Sequence, residues 1–367
     1  MLKGFNKSSV ADGGMFRKRF EKFILLMCLS VTTSVLVYWK VHNHELATVI
    51  IEPTAEDPFL SLPSEAKENE AWVARLPRGV VLWGQPLAGS LSLGSLLTSV
   101  QNRSLISFEP LAHEQPIHRA PKDNTTIHYH RLNLLSDLLH CRYFRHKELV
   151  AHLANRTSFL TQNTFLQSRC AFVSEPCIDN ATFLSHVCRE SSVHVLKVLR
   201  LDVRWVRPLL EDGDLDLKVI YLARDPRALV YSRLRDPRCN TPECEDPVQV
   251  CAKLHEDLIE VPFLLQDFPD SFKYLKYEDL AEDVNGTLLE DLLSFVGLSL
   301  DEDLDEAKAL WGDGGLAGDA FLWRKYMDFS EVLEIQNVCE GSLRALGYRV
   351  FANKEEFRNV SVSVMNG

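Results

Sequence analysis

The chain repeats one unit: a β-rich apolar run that stops at a polar turn and passes into a helical stripe. The runs are "GVVLWG" (79–84), "VHVLKVLRL" (193–201), "LKVIYLA" (217–223) and "FKYLKY" (272–277). After the first, Leu93, Leu96, Leu97 and Val100 recur at helical spacing, so one helix face is apolar. After the third, Asp225 is placed to cap, Pro226 suits the first helical position, and Ala228 to Leu234 continue as helix. After the fourth come "EDL", whose Glu278 and Asp279 read as caps, and a helix striped by Leu289, Leu292, Leu293 and Val296. Strands that alternate with helices form a mainly parallel sheet covered on both faces. Ligands of such sheets sit beyond the carboxyl ends of the strands, where these turns lie.

The N-terminus limits where the chain works. "FILLMCLSVTTSVLVYW", 23–39, carries no charge and follows Arg17, Lys18, Arg19 and Lys22. Seventeen helical residues reach about 26 Å, the short end of a membrane span. The basic flank keeps the tail in the cytosol and sends the bulk of the chain to the lumen. A cleaved signal peptide is the alternative, opposed by the long leader and the lack of an A-x-A-like site. The expected order is a cytosolic tail (1–22), a transmembrane signal anchor (23–39), a lumenal stem (40–77) and a folded domain (78–367).

Outside the anchor lie Cys141, Cys170, Cys177, Cys188, Cys239, Cys244, Cys251 and Cys339. An even number in a lumenal chain reads as disulfides, with 105 connectivities left open. The spacings lack paired C-x2-C units, so no metal site is expected. Asn102, Asn124, Asn155, Asn180, Asn285 and Asn359 each begin an N-x-S/T triplet, the mark of a secretory glycoprotein. A net charge of −11 argues against nucleic acid as partner, though it allows a local basic pocket for an anion.

Two turns carry chemistry. "GQPLAGS" (84–90) has the Gly-x4-Gly spacing of a phosphate loop, but Ser90 and Leu91 stand where Lys and Ser/Thr would follow. Gly89 permits close backbone approach, and the amides of Gly89, Ser90 and Leu91 open a helix, an anion site by geometry. The competing reading is an ordinary tight turn. In "ARDPRALVYSR" (223–233), Arg224 ends a strand and Ser232 follows eight residues on, so a guanidinium and a hydroxyl face one anion.

On those residues the chain resembles the galactose/N-acetylglucosamine/N-acetylgalactosamine 6-O-sulfotransferases. "VIYLARDPRALVYSR" is similar to their 3'-phosphate motif, and "SFEPLAH" (107–113), "KYEDLAED" (276–283) and "WRKYM…IQNVCEGSLRALGY" follow in the family's order over about 79–350. The resemblance implies a Golgi type II membrane protein with a P-loop-like α/β fold: a central parallel sheet flanked by helices. It also implies sulfuryl transfer from PAPS (3'-phosphoadenosine 5'-phosphosulfate) to a sugar 6-hydroxyl on a glycan or proteoglycan; the sequence leaves the oligomeric state open, a homodimer being one option. Arg224 and Ser232 would hold the 3'-phosphate. The opening loop would take the 5'-phosphosulfate, and here the chain departs from R-[ST]-G-S-S, reading Leu87-Ala88-Gly89-Ser90-Leu91. Gly89 and Ser90 remain, and the arginine is lost. Lys197 and Arg200 are the candidate replacement cations, with a strand's solvent-facing charges as the alternative. Glu109 and then His113 are the candidate general bases, and Arg324 follows a glycine-rich stretch (312–321) that would close over the donor. The rival class is a catalytically silent homologue that binds glycan or nucleotide or scaffolds an active enzyme; a P-loop kinase ranks third because no Walker lysine is present.

Overall fold

Every residue of Val80–Gly84 is buried, which suits a strand at the middle of a sheet covered on both faces. In the computed structural model this strand, β1 (Arg78–Gly84), is the central one of five. The others are β2 (Ser104–Phe108), β3 (Val193–Val198), β4 (Leu217–Ala223) and β5 (Phe272–Lys276). They run in the order β2-β3-β1-β4-β5, and every pairing is parallel. The structure describes residues 76–113, 125–172, 177–239, 244, 246–283, 285–298, 311 and 320–366, all within the unit Glu68–Gly367. The cytosolic tail, the anchor, and the stem up to residue 75 lie outside them, as does Asn124. Among the described residues no helix is long and apolar enough to cross a membrane.

The principal helices are α1 (Ser90–Ser99), α2 (Thr125–Leu139), α3 (Ala181–Glu190), α4 (Pro226–Arg233), α5 (Pro247–Asp267), α6 (Tyr277–Ala281), α7 (Thr287–Phe295) and α8 (Phe329–Val338). The expected stripes hold: α1 buries Leu93, Leu96 and Leu97, and α7 buries Leu289, Leu292 and Leu293. Asp225 caps α4 by accepting from the Arg227 amide at 2.9 Å, with Pro226 at the first helical position.

The expected parallel sheet is present, with one strand more than the sequence reading contains. β2 is five residues long and holds two serines, so its apolar signal is weak. Its free edge is satisfied by a side chain. Asn163 accepts from the Ile106 amide at 2.6 Å and donates to the Ile106 carbonyl at 3.0 Å and the Phe159 carbonyl at 2.6 Å. The second run also ends sooner than expected, at Val198, which leaves Arg200 beyond the strand.

The eight cysteines beyond the expected anchor are all paired: Cys141–Cys188, Cys170–Cys177, Cys239–Cys244 and Cys251–Cys339. His194, beside Cys188, is buried and donor–acceptor linked to the Tyr143 hydroxyl at 2.8 Å. Burial pushes its pKa down to about 3, so it is a neutral core histidine.

Candidate active site

Strand connectivity chooses the location. The link from β1 leads to the β3–β2 side and the link from β4 to β5, so the crevice at their carboxyl ends is the switch point where such sheets bind ligands. On one side is the turn Gln85–Gly89. Gly89 has φ 99°, and a Cβ there would lie 2.2 Å from the Tyr277 ring, so only glycine fits. α1 starts at the buried Ser90 with no side-chain cap and no acidic residue in its first turn. Its leading amides therefore keep the partial positive charge of a helix N-terminus.

On the other side, Arg224 reaches across. Its Nη1 donates to the Leu87 carbonyl at 2.7 Å and to Ser232 Oγ at 3.4 Å, and the guanidinium stacks 5.1 Å from the Tyr277 ring. The pair that the sequence placed on one strand–turn–helix unit is thus joined to the opening turn by one side chain. Beneath it lies Glu278, without exposed surface. Glu278 accepts from the Asp225 amide at 3.1 Å and the Tyr348 hydroxyl at 2.5 Å, and sits 4.0 Å from Arg224 Nε. Burial first, and the Asp225 carboxylate next, push its pKa up to about 7. The helix-cap reading of Glu278 is corrected here: it ties the β5 turn to the β4 turn and the C-terminal segment. Asp279 instead pairs with Lys276 at 3.3 Å.

The third group stands at the ends of β2 and β3. Glu109, at φ 48°, meets Lys197 Nζ at 3.3 Å and Arg200 Nη2 at 3.4 Å. Burial alone would raise its carboxyl pKa, but Lys197, Arg200 and Arg156 outweigh it and hold the group below the usual range. Burial in turn lowers Lys197 and Arg200, opposed by Glu109. Lys197 and Arg200 are thus not solvent-facing charges; both are directed at Glu109. Arg200 Nε and Nη1 remain buried without a hydrogen-bond partner, which fits an anion being added to the group.

The remaining residues separate. His113 ends the 3₁₀ turn Pro110–His113, and its side chain lies outside the described part. Arg324 is not brought to the clamp: it donates to the Phe357, Asn359 and Val362 carbonyls, the nearest at 2.7 Å, and so pins the C-terminal segment. Arg227 forks onto Asp225 and Arg233 donates to Gln85 Oε1 at 2.7 Å, so neither offers a free guanidinium. The sequence reading missed Gln85, Tyr277 and Tyr348. Their signals were the turn "GQPLAGS" for Gln85, the block "KYEDLAED" for Tyr277 and the C-terminal "LGY" for Tyr348.

The family described as "Sulfotransferase domain" matches residues 125–310, half of the chain. Carbohydrate sulfotransferase 1 of Homo sapiens is 30% identical over 219 residues, covering 51% of this chain and 52% of that protein. Carbohydrate sulfotransferase 6 of Homo sapiens is 28% identical over 222 residues, covering 50% and 55%. The chain therefore spans about half the length of the curated relatives it matches. Among solved structures, the sulfotransferase domain of the Synechococcus PCC 7002 olefin synthase is 16% identical at a TM-score of 0.38, covering 76% of this chain and 97% of that one. On the family match and the relatives together, this chain belongs to the sulfotransferase family.

Proposed function

We propose that the chain is a PAPS-dependent carbohydrate 6-O-sulfotransferase anchored in the Golgi membrane with its folded domain in the lumen. The observation that carries this reading is the Arg224 clamp, which joins Ser232 and the α1 turn at the switch point of the sheet. When bound, PAPS supplies an activated sulfuryl group. The sugar 6-hydroxyl oxygen attacks sulfur, the bond from sulfur to the 5'-phosphate oxygen breaks, and the hydroxyl proton leaves to a base. Arg224 and Ser232 hold the 3'-phosphate, and the α1 amides with Ser90 hold the 5' end. Glu109 is the candidate base. Its cations keep it ionised, the form that accepts a proton, while lowering its basicity. The lumenal placement rests on the basic flank at 17–22, the four disulfides, and exposed sequon residues Asn102, Asn155, Asn285 and Asn359.

A second reading has its own observation. The opening turn has no side-chain cation, and Lys197 and Arg200 both point at Glu109. A homologue with this site binds nucleotide and glycan without turnover. Both readings meet one experiment: transfer from PAPS by the full-length protein to galactose-, N-acetylglucosamine- and N-acetylgalactosamine-terminated glycans. Transfer by the native protein, lost in Arg224→Ala, supports the enzyme. PAP binding without transfer, with transfer gained in Leu87→Arg, supports the silent homologue. Absence of both binding and transfer overturns both.

A further inference from the structure

One aromatic cluster adjoins the Glu109 group and takes no part in the Arg224 clamp. The segment that leaves β3 carries Arg200 and then forms the 3₁₀ turn Val203–Val206. It is fixed on two sides. Arg131 of α2 donates to the Arg200 carbonyl at 3.0 Å, and Asp257 of α5 accepts from the Val203 amide at 3.1 Å. Arg200 itself meets Glu109, so the segment leads from the candidate base to this turn. Nearly one helical turn before Arg131, His128 stacks on the Trp205 ring, with centroids 5.3 Å apart and planes at 24°. Tyr129 meets the same Trp205 edge-on, at 5.2 Å and 78°, and yet is 55% exposed. Among the described residues, His128 Nδ1 and Trp205 Nε1 are enclosed without a hydrogen-bond partner. A finished core pairs such atoms. An aromatic cluster with unmet polar atoms and one open ring has the make-up of a ligand site.

Resting on the carbohydrate sulfotransferase reading above, we propose that Tyr129, backed by Trp205 and His128, is an acceptor subsite that stacks a sugar ring of the glycan next to the ring presented to Glu109. A pyranose has an apolar C–H face and a rim of hydroxyls. The face suits an open aromatic ring, and the rim suits polar groups around it. Such groups are present. The Asp202 carbonyl accepts from the Trp205 amide at 3.0 Å, and the Asp202 carboxylate pairs with Lys253 at 2.8 Å and Arg204 at 3.2 Å. The ring is thus edged by charge rather than by further apolar surface, which favours a sugar over a lipid or an apolar peptide. The subsite is built from α2 and the segment after β3, apart from the residues of the nucleotide clamp, so it acts on acceptor affinity and leaves the donor alone.

The test is calorimetric titration of the full-length protein, first with PAP and then, once loaded, with galactose-, N-acetylglucosamine- and N-acetylgalactosamine-terminated tetrasaccharides. Tyr129→Ala is expected to weaken whichever tetrasaccharide the native protein binds about 3- to 10-fold, with PAP affinity and melting temperature unchanged. Tyr129→Phe keeps the ring and should bind within about twofold of the native protein. Phe263→Ala removes an aromatic of similar exposure on α5 and should change nothing. Unchanged tetrasaccharide affinity in Tyr129→Ala overturns the proposal. So does a loss shared with PAP, or an equal loss in Tyr129→Phe, which would assign the effect to the hydroxyl rather than the ring. Native protein that binds PAP but no tetrasaccharide overturns the subsite and leaves the donor site standing. Native protein that binds neither overturns the sulfotransferase reading itself.

Discussion

Glu278 is a carboxyl group with no exposed surface, set beside a second buried carboxylate and under the arginine that bridges the site. Its pKa is raised from the ordinary 4.5 to about 7, by burial and then by Asp225. Between those values the folded chain binds a proton that the unfolded chain has released. Stability from this group is therefore full at the acid side and is lost as pH rises from about 4.5 through 7. Glu278→Gln, neutral at every pH, should flatten that slope. Urea midpoints at pH 5 and pH 7.5 check it: the native midpoint should fall between them and the variant's should fall less. Parallel changes would remove Glu278 as the cause. Glu109 has the opposite sign, since its lowered pKa gives stability that is lost only as pH falls below the usual carboxylate range. The two effects occupy different windows and are separable.

At the scale of the element, β2 shows why part of the fold was legible and part was not. β1, β3, β4 and β5 are readable because each is a dense apolar run beside a turn signal. β2 is read only once its edge is seen to be closed by Asn163, 57 residues away. Asn163→Leu leaves the Ile106 amide and carbonyl buried without partners, which costs roughly 2–4 kcal/mol. A drop in denaturation midpoint with little change in the slope against urea would bear this out. A neutral result would show that water enters and replaces the amide. The site divides in the same way. Arg224 and Ser232 share one strand–turn–helix unit, so local spacing reveals them. Glu278 reaches Tyr348 across 70 residues, and Arg233 reaches Gln85 across 148. No local pattern reports such bonds. Arg324 was drawn toward the donor by its place after a glycine-rich stretch, whereas its guanidinium is taken up by the carbonyls of the C-terminal segment.

For the whole molecule, the four disulfides divide into two short clasps, closing 7 and 5 residues, and two long staples, closing 47 and 88. Cys251–Cys339 closes 88 residues and joins α5 to the end of α8, so it ties the C-terminal helices to the sheet domain. Cys170–Cys177 closes only 7. In the chain-entropy model the first contributes about 4–5 kcal/mol and the second about 2. Paired Cys→Ser variants compared by thermal unfolding should show that order. Equal losses would mean that native packing around each bridge, rather than loop length, decides its worth.

The clamp on the opening turn also bears on which substitutions the chain tolerates. Arg224 grips a carbonyl at position 87, and every amino acid supplies one. The side chain there is left out of the contact, and the backbone is left-handed at φ 69°. Two positions later the ring of Tyr277 leaves room for no Cβ at all. A library of variants across this turn would therefore accept many residues at 87, asparagine and glycine most readily, and return glycine alone at 89. A turn held by its main chain keeps its shape without any contact from the side chain at position 87, so its shape and its side-chain chemistry are set separately.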